Sequence, residues 1–255
     1  MECGACVLSS VPVRREPVSS SEMTSQLLFG EVFRVVGERS YFVDVESGHD
    51  GYRGWIDRRQ GVEIGWDEFE KSCAWTGYRL GEATGSAVSA GGRVVPLVRG
   101  ARLQGWHGGR FGFGGEEWTL DGEVDKCGEV DPVEWVMRYE GAPYLWGGRS
   151  PFGVDCSGLV QVAWGMAGVG LGRDTGDMVR AGSGVEFGDV ASGDLVFAGA
   201  VADEERHVAM VVPGGVIHAS ARVRIDRLEP EGIVCAQSGV LTHRMSSVRR
   251  VSTLG

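Results

Sequence analysis

The sequence predicts an α+β protein whose first half is built from small β units and whose second half carries helices followed by an antiparallel sheet. Three observations predict it. Short β-branched and aromatic runs separated by glycine-rich turns fill the first half. Two helix signatures follow after residue 129, and three strand candidates come after the helices rather than alternating with them. The composition suits a folded chain: 255 residues, 42% hydrophobic and 24% charged. The formal charge of -10, with no local basic patch, excludes a nucleic-acid partner, because an acidic surface repels phosphate.

Residues 32–36 and 41–45 are strand-like runs around Gly37-Glu38-Arg39-Ser40, a hairpin pattern, and residues 51–56 continue it. Short strands with close turns predict a small barrel over residues 1–64. Residues 65–128 repeat the style, with apolar runs at 94–98 and 118–120 between glycine clusters at 108–109 and 112–115. They predict a second small β domain, although no identity-level repeat links the two. From residue 129 to 255 a third domain is expected. Asp131-Pro132-Val133-Glu134 is a helix start, with Asp as cap and Pro at the first position; Trp135, Val136 and Tyr139 form its apolar stripe up to Gly141. A second helix is expected from Asp155 or Cys156 to Gly168, with Leu159, Val160, Ala163 and Met166 at helical spacing. Strands are expected at 194–198, 207–212 and 216–219, the last two joined by Pro213-Gly214-Gly215.

The N-terminus has no basic region ahead of an apolar core, and residues 158–172, interrupted by Gln161 and glycines, fall short of the ~20 residues that span a bilayer. A cytoplasmic protein without membrane contact is expected. Six cysteines are too sparse for a disulfide scaffold. Cys3 and Cys6 form one CxxC, but a tetrahedral metal site needs two more ligands and no second pair follows, so they read as packing residues.

The chemistry-bearing stretch runs from Tyr144 to Val160, where glycines and a proline lead to Cys156 at the first turn of a buried helix. A helix N-terminus offers unpaired N–H groups and partial positive charge, which lower a thiol pKa from ~8.5 to between ~3.5 and ~7.5 and also bind an oxyanion. A thiol nucleophile needs a base and a group orienting that base. His207 and His218 are neighbours across the hairpin that turns at 213–215, so His207 can serve as base and His218 can hold its tautomer. On the residues alone two other readings stay open: inert packing of Cys156, and a mononuclear metal site of Cys156, His207 and His218.

The stretch 144–160, with Gly193-Asp194-Leu195-Val196-Phe197, His207-Val208-Ala209-Met210 and Val216-Ile217-His218-Ala219-Ser220, resembles the NlpC/P60 family of cell-wall cysteine peptidases over about residues 131–230. The resemblance implies a papain-like α+β fold, Cys156 as nucleophile, His207 as base, His218 as third residue and the Tyr144 hydroxyl at the oxyanion site. Residues 11–17 and 21–31 resemble the bacterial SH3 domain of the γ-D-glutamyl-L-diamino acid endopeptidase (dipeptidyl-peptidase VI-like) subgroup. By that likeness two SH3-like barrels precede the catalytic domain; Glu22, Tyr52 and Asp174 clasp the ammonium of an N-terminal L-alanine, and Trp146, Asp155 and Ser157 line the substrate cleft. The implied activity is release of L-Ala-γ-D-Glu from murein peptides in cell-wall recycling, by a monomer that needs neither cofactor nor metal. The rivals are a non-catalytic peptidoglycan-binding module and an amidase or acyltransferase on the same fold. Two residues depart from the pattern. Arg206 precedes His207, which leaves the orientation of the base open, and Thr175 stands where serine is common. The residues do not distinguish diaminopimelate from lysine at the third substrate position.

Overall fold

Alternation of buried and exposed side chains along short strands organises residues 3–63, where strands such as Ser10–Arg14 and Phe42–Ser47 turn every second residue inward. The computed structural model describes residues 1–200 and 206–252, and the chain divides into two units. The first holds Met1–Glu129 together with Trp146–Pro151; the second holds Val130–Leu145 and Phe152–Gly255.

In the first unit, seven antiparallel strands form the SH3-like sheet. A hairpin joins Val32–Arg39 to Phe42–Ser47, but the turn expected at 37–40 lies further on: Gly37, Glu38 and Arg39 pair within the strand past a bulge at Val35/Gly37, and the turn is Ser40-Tyr41, with Ser40 in the left-handed region at φ 56°. Val11, Val13, Leu27, Phe33, Val43, Val45 and Ile56 fill the interior. The following β unit is split into a four-stranded sheet that includes Val94–Val98 and Glu116–Asp121 and a three-stranded sheet built on Tyr78–Leu80. Its core is continuous with the first: Phe29 meets the Trp118 ring edge-on at 5.3 Å, in one cluster with Ala5, Val32, Leu97 and Phe111.

An α-helix at Trp66–Cys73 was not anticipated. Asp67 and Glu68 occupy its first turn, where the helix dipole favours acids, and Phe69 and Cys73, four apart, pack on the core. Ser72, between them, is its most buried residue, so the short inward face includes a polar side chain. Segment Trp146–Pro151 is fastened within this unit by Arg149, which donates to Gln26 O at 2.7 Å and to both Glu31 carboxylate oxygens at 2.6 and 3.0 Å. Glu31 is fully buried. Burial alone would raise its carboxyl; Arg149, helped by His49 and Arg102, outweighs that and holds it well below the usual range.

In the second unit, Asp131 caps helix Pro132–Met137 by accepting from Val133 N at 2.8 Å. The helix ends before the expected Gly141, which lies in the left-handed region at φ 86°. Helix Cys156–Met166 is buried on nearly every face, as its glycine-rich, apolar sequence requires. It packs against the strands Arg206–Val212 and Gly215–Ser220. The sheet runs Ser183–Gly184, Leu241–Arg250, Leu195–Ala200, Arg206–Val212, Gly215–Ser220, Arg222–Glu229, Gly232–Val234, and the last of these also pairs with Leu241–Arg250, closing six strands into a barrel. The strands after residue 220 carried no expectation, yet they supply two of the side chains described next. No helix among the described residues is long and apolar enough to cross a membrane.

Candidate active site

Cys156 is the first residue of its helix because Asp155 caps it, accepting from Gly158 N at 2.6 Å. The same carboxylate forms a buried ion pair with Arg173 at 2.6 Å, and Arg173 also donates to the Ser157 hydroxyl at 2.8 Å. Asp155 and Ser157, expected as cleft-lining residues, are thus buried and spent on Arg173. That clamp holds the chain two residues before Thr175, whose hydroxyl reaches the Cys156 sulfur; the Val208 backbone is the sulfur's other hydrogen-bond partner. Thr175, noted in the sequence only as standing where serine is common, is a partner of the thiol. Val208 directly follows His207, so the thiol lies against the histidine's own strand.

The hairpin pairs Met210 with Ile217 and Val211 with Val216, which sets His218 opposite Ala209 and places His207 diagonally beside it on one face. A hydrogen bond of 2.8 Å joins His207 Nε2 to His218 Nδ1, and His218 Nε2 lies 3.0 Å from Asp226 Oδ2. Asp226 also accepts from Arg224 Nε at 2.9 Å and from Ala236 N at 2.9 Å. Burial would raise its carboxyl, but the His218 bond, Ala236 and Arg224 hold it well below the usual range. An ionised Asp226 takes the His218 Nε2 proton as donor. His218 Nδ1 then carries a lone pair, His207 Nε2–H donates to it, and His207 Nδ1 is the nitrogen left to accept a proton. The orientation that Arg206 left open is settled by this chain, while Arg206 itself is exposed.

Charge is disfavoured at both Cys156 and His207. Burial first, then the Asp155 carboxylate, pushes the Cys156 thiol up to about 11, overriding Arg173 and the sulfur's hydrogen bonds. The expectation of a depressed thiol pKa is corrected here: Cys156 is only 9% exposed, and desolvation outweighs the helix end. Burial, followed by the charges of His218 and His243, holds His207 well below its ordinary value. Near neutral pH both the thiol and the imidazole are uncharged.

The remaining expected residues divide between the units. Tyr144 is half-buried in the second, its N–H on Ala221 O at 3.0 Å and its backbone bridged to Val154, two residues before Cys156. Asp174, exposed, precedes the short helix Thr175–Met178. In the first unit, Glu22 accepts from Trp146 Nε1 at 2.7 Å and pairs with Arg15 at 2.9 Å, while Tyr52 is half-buried against the barrel core. Cys3 and Cys6 are buried; the Cys6 thiol donates to Leu8 O at 3.3 Å and burial pushes it up to about 12. Two residues, Asp226 and His243, escaped the sequence reading, as did the contact of Thr175 with the thiol. His243 stacks on His207, ring centroids 4.2 Å apart, from the strand Leu241–Arg250. An acid eight residues past His218 on the next strand was the one available signal for Asp226.

Residues 141–242 match the NlpC/P60 family, and residues 13–60 match the bacterial dipeptidyl-peptidase Sh3 domain. A γ-D-glutamyl-L-lysine dipeptidyl-peptidase of Bacillus subtilis is 31% identical over 213 residues, 75% of this chain and 70% of its own length. A protein of the same name from Bacillus cereus is 35% identical over 107 residues, 39% of this chain and 31% of that one. The crystal structure of an NlpC/P60 family protein from Bacillus cereus superposes with a TM-score of 0.78 at 19% identity, covering 97% of this chain and 99% of that one, a likeness of fold.

Proposed function

The chain belongs to the NlpC/P60 family, and we propose that it is a cysteine peptidase that cleaves the γ-D-glutamyl-L-diamino acid bond of murein peptides bearing a free N-terminal L-alanine. The observation that carries the reading is the hydrogen-bonded run His207–His218–Asp226 on strands packed against the helix that Cys156 begins. A buried polar run of this kind has one free basic nitrogen, and a thiol is the neighbour it can serve. The names of the two Bacillus dipeptidyl-peptidases and the Sh3 match support the bond chosen.

In the proposed reaction the Cys156 sulfur attacks the γ-glutamyl carbonyl carbon while its proton passes to His207 Nδ1. The Cys156 N–H, a first-turn group without a helical partner, and the Tyr144 hydroxyl stabilise the oxyanion. The imidazolium returns its proton to the departing amine as the C–N bond breaks, leaving a thioester. Water, deprotonated by His207, hydrolyses the thioester and frees L-Ala-γ-D-Glu. Selectivity for an unblocked amine is assigned in the first unit to Glu22, an exposed carboxylate held in place by Trp146. All six cysteines are free thiols, which suits a reducing compartment and a recycling role in the cytoplasm.

The test is to incubate the protein with L-Ala-γ-D-Glu-diamino acid tripeptide and its N-acetylated twin and to weigh the products. Dipeptide from the free peptide only, abolished in Cys156→Ala at unchanged Tm, is expected. Cleavage at the muramoyl-alanine bond, acyl transfer, or binding without product would overturn the reading.

A further inference from the structure

His207, His218 and His243 are all buried, and one ring nitrogen from each lies within 4.8 Å of the other two. Their hydrogen bonds decide where the lone pairs point. His218 gives its Nε2 proton to Asp226, so its Nδ1 lone pair faces inward. Thr242 donates its hydroxyl proton to Ile233 O at 3.1 Å, so its oxygen can only accept from His243 Nδ1, 2.9 Å away. The proton of a neutral His243 is therefore on Nδ1, and Nε2 is its basic nitrogen. Two imidazoles thus carry inward lone pairs with their outer nitrogens held by oxygen acceptors, the arrangement that orients histidines on a metal. The third, His207, places one proton between itself and His218.

The geometry points to a borderline divalent cation, of the zinc class, binding to His207, His218 and His243 and thereby inhibiting the peptidase. Three imidazoles and an open fourth position suit zinc, whose Zn–N distance of about 2.0–2.1 Å asks the 2.8 Å His207–His218 contact to open by roughly 0.5 Å and the His243 ring to tilt from its stack. The cation takes the place of the His207 Nε2 proton, and that proton moves to Nδ1. Nδ1 is the atom that must accept the thiol proton, so the metal-bound protein keeps its thiol protonated and cannot start the reaction. The inhibition half of this inference rests on the peptidase reading; the binding half does not.

Two arms test it. In Cys156→Ala, titration with cobalt(II) alone should raise the visible absorption of tetrahedral cobalt at one equivalent, and His243→Phe in the same background should lose it. His243→Asn repeats that arm should the phenylalanine variant not fold. In the otherwise native chain, zinc should inhibit tripeptide cleavage reversibly with EDTA, and His243→Phe should need at least about tenfold more zinc for the same fractional inhibition, each protein measured against its own zinc-free rate. No cobalt signal, or equal zinc sensitivity in both proteins, which would place the metal on the thiol alone, overturns the proposal. Cobalt binding that depends on His243 in a chain that cleaves no tripeptide leaves the metal site standing and sinks the peptidase reading.

Discussion

Replacing Asp226 by asparagine probes the chain His207–His218–Asp226 with the least change of shape. One carboxylate oxygen accepts from His218 Nε2 and Arg224 Nε, the other from Ala236 N. Asparagine has one oxygen to offer. Placed toward His218 and Arg224 it keeps two bonds and turns its NH₂ on the Ala236 N–H. Placed the other way it keeps one bond, sets NH₂ against a guanidinium, and forces the His218 proton onto Nδ1. The first placement wins, so the tautomer survives and only the charge is lost. A hydrogen bond to a charged group contributes about 1.5–3 kcal/mol and a neutral one about 1, which makes the loss about 0.5–2 kcal/mol. Asp226 is placed through two imidazoles from the thiol, so the loss falls on formation of the imidazolium in the transition state rather than on substrate binding.

The expected result for Asp226→Asn is a kcat lowered roughly 2- to 30-fold with KM unchanged. Asp226→Ala, which leaves the buried His218 Nε2–H unpaired and its tautomer unbiased, should fall further, toward the roughly 10⁴-fold loss that accompanies a wrongly protonated catalytic imidazole. Steady-state kinetics on the tripeptide, with Tm measured alongside, reads both. Unchanged kcat in both variants, whatever happens to Tm, would show that Asp226 only braces the barrel and would refute the relay.

The remaining expectations concern the two buried charge systems. Because burial pushes the Cys156 thiol up to about 11, iodoacetamide labelling of its peptide in the resting protein should climb about tenfold per pH unit from neutrality upward, while Cys235, lowered by its hydrogen bonds to Ser238, labels faster; a Cys156 rate already level near neutral pH would contradict the neutral pair. In the first unit, Glu31→Ala should cost about 3–5 kcal/mol by leaving Arg149 buried without its partner, read as a lower midpoint in urea. The folded-state pKa of Glu31 lies below its ordinary value of 4.5, so its contribution is full above that pH and is lost as the pH falls through the folded value. Glu31→Gln should therefore flatten the acid-side decline of stability, and an unaltered decline would assign it to other groups.

The parts of the molecule legible in the sequence were those set by local chemistry. The pairing of the two strands around the hairpin, though not its turn, which falls at Ser40-Tyr41 rather than 37–40, the Asp131 and Asp155 caps, and the placement of His207 beside His218 follow from strand-forming runs, capping residues and a two-residue period. Helix Trp66–Cys73 was hidden because its inward face, Phe69, Ser72 and Cys73, is short and polar at its most buried position. Asp226 and His243 were hidden for a different reason: they reach the histidine pair from strands Arg222–Glu229 and Leu241–Arg250, and only closure of the barrel brings those strands round. The thiol's raised pKa was misjudged because a helix N-terminus is visible in sequence, whereas the burial that outweighs it belongs to the folded unit.

That burial gives the site its character. Separating a proton from Cys156 to His207 in the resting protein would create two charges where solvent cannot stabilise either, so the neutral pair is the ground state. In the proposed reaction the thiolate never stands alone: its charge passes to the carbonyl oxygen as it forms, where the Cys156 N–H waits. The positive charge arrives on His207 at the same moment and is met, through His218, by an Asp226 carboxylate already ionised and fixed by Arg224 and Ala236. Both stabilising groups are aimed at charges that exist only in the transition state, which is where a fixed dipole or carboxylate accelerates a reaction instead of tightening substrate binding. A neutral resting thiol also reacts slowly with oxidants and alkylating agents, since the thiolate is the nucleophile. One arrangement therefore shields the sulfur between turnovers and activates it when a carbonyl is in place.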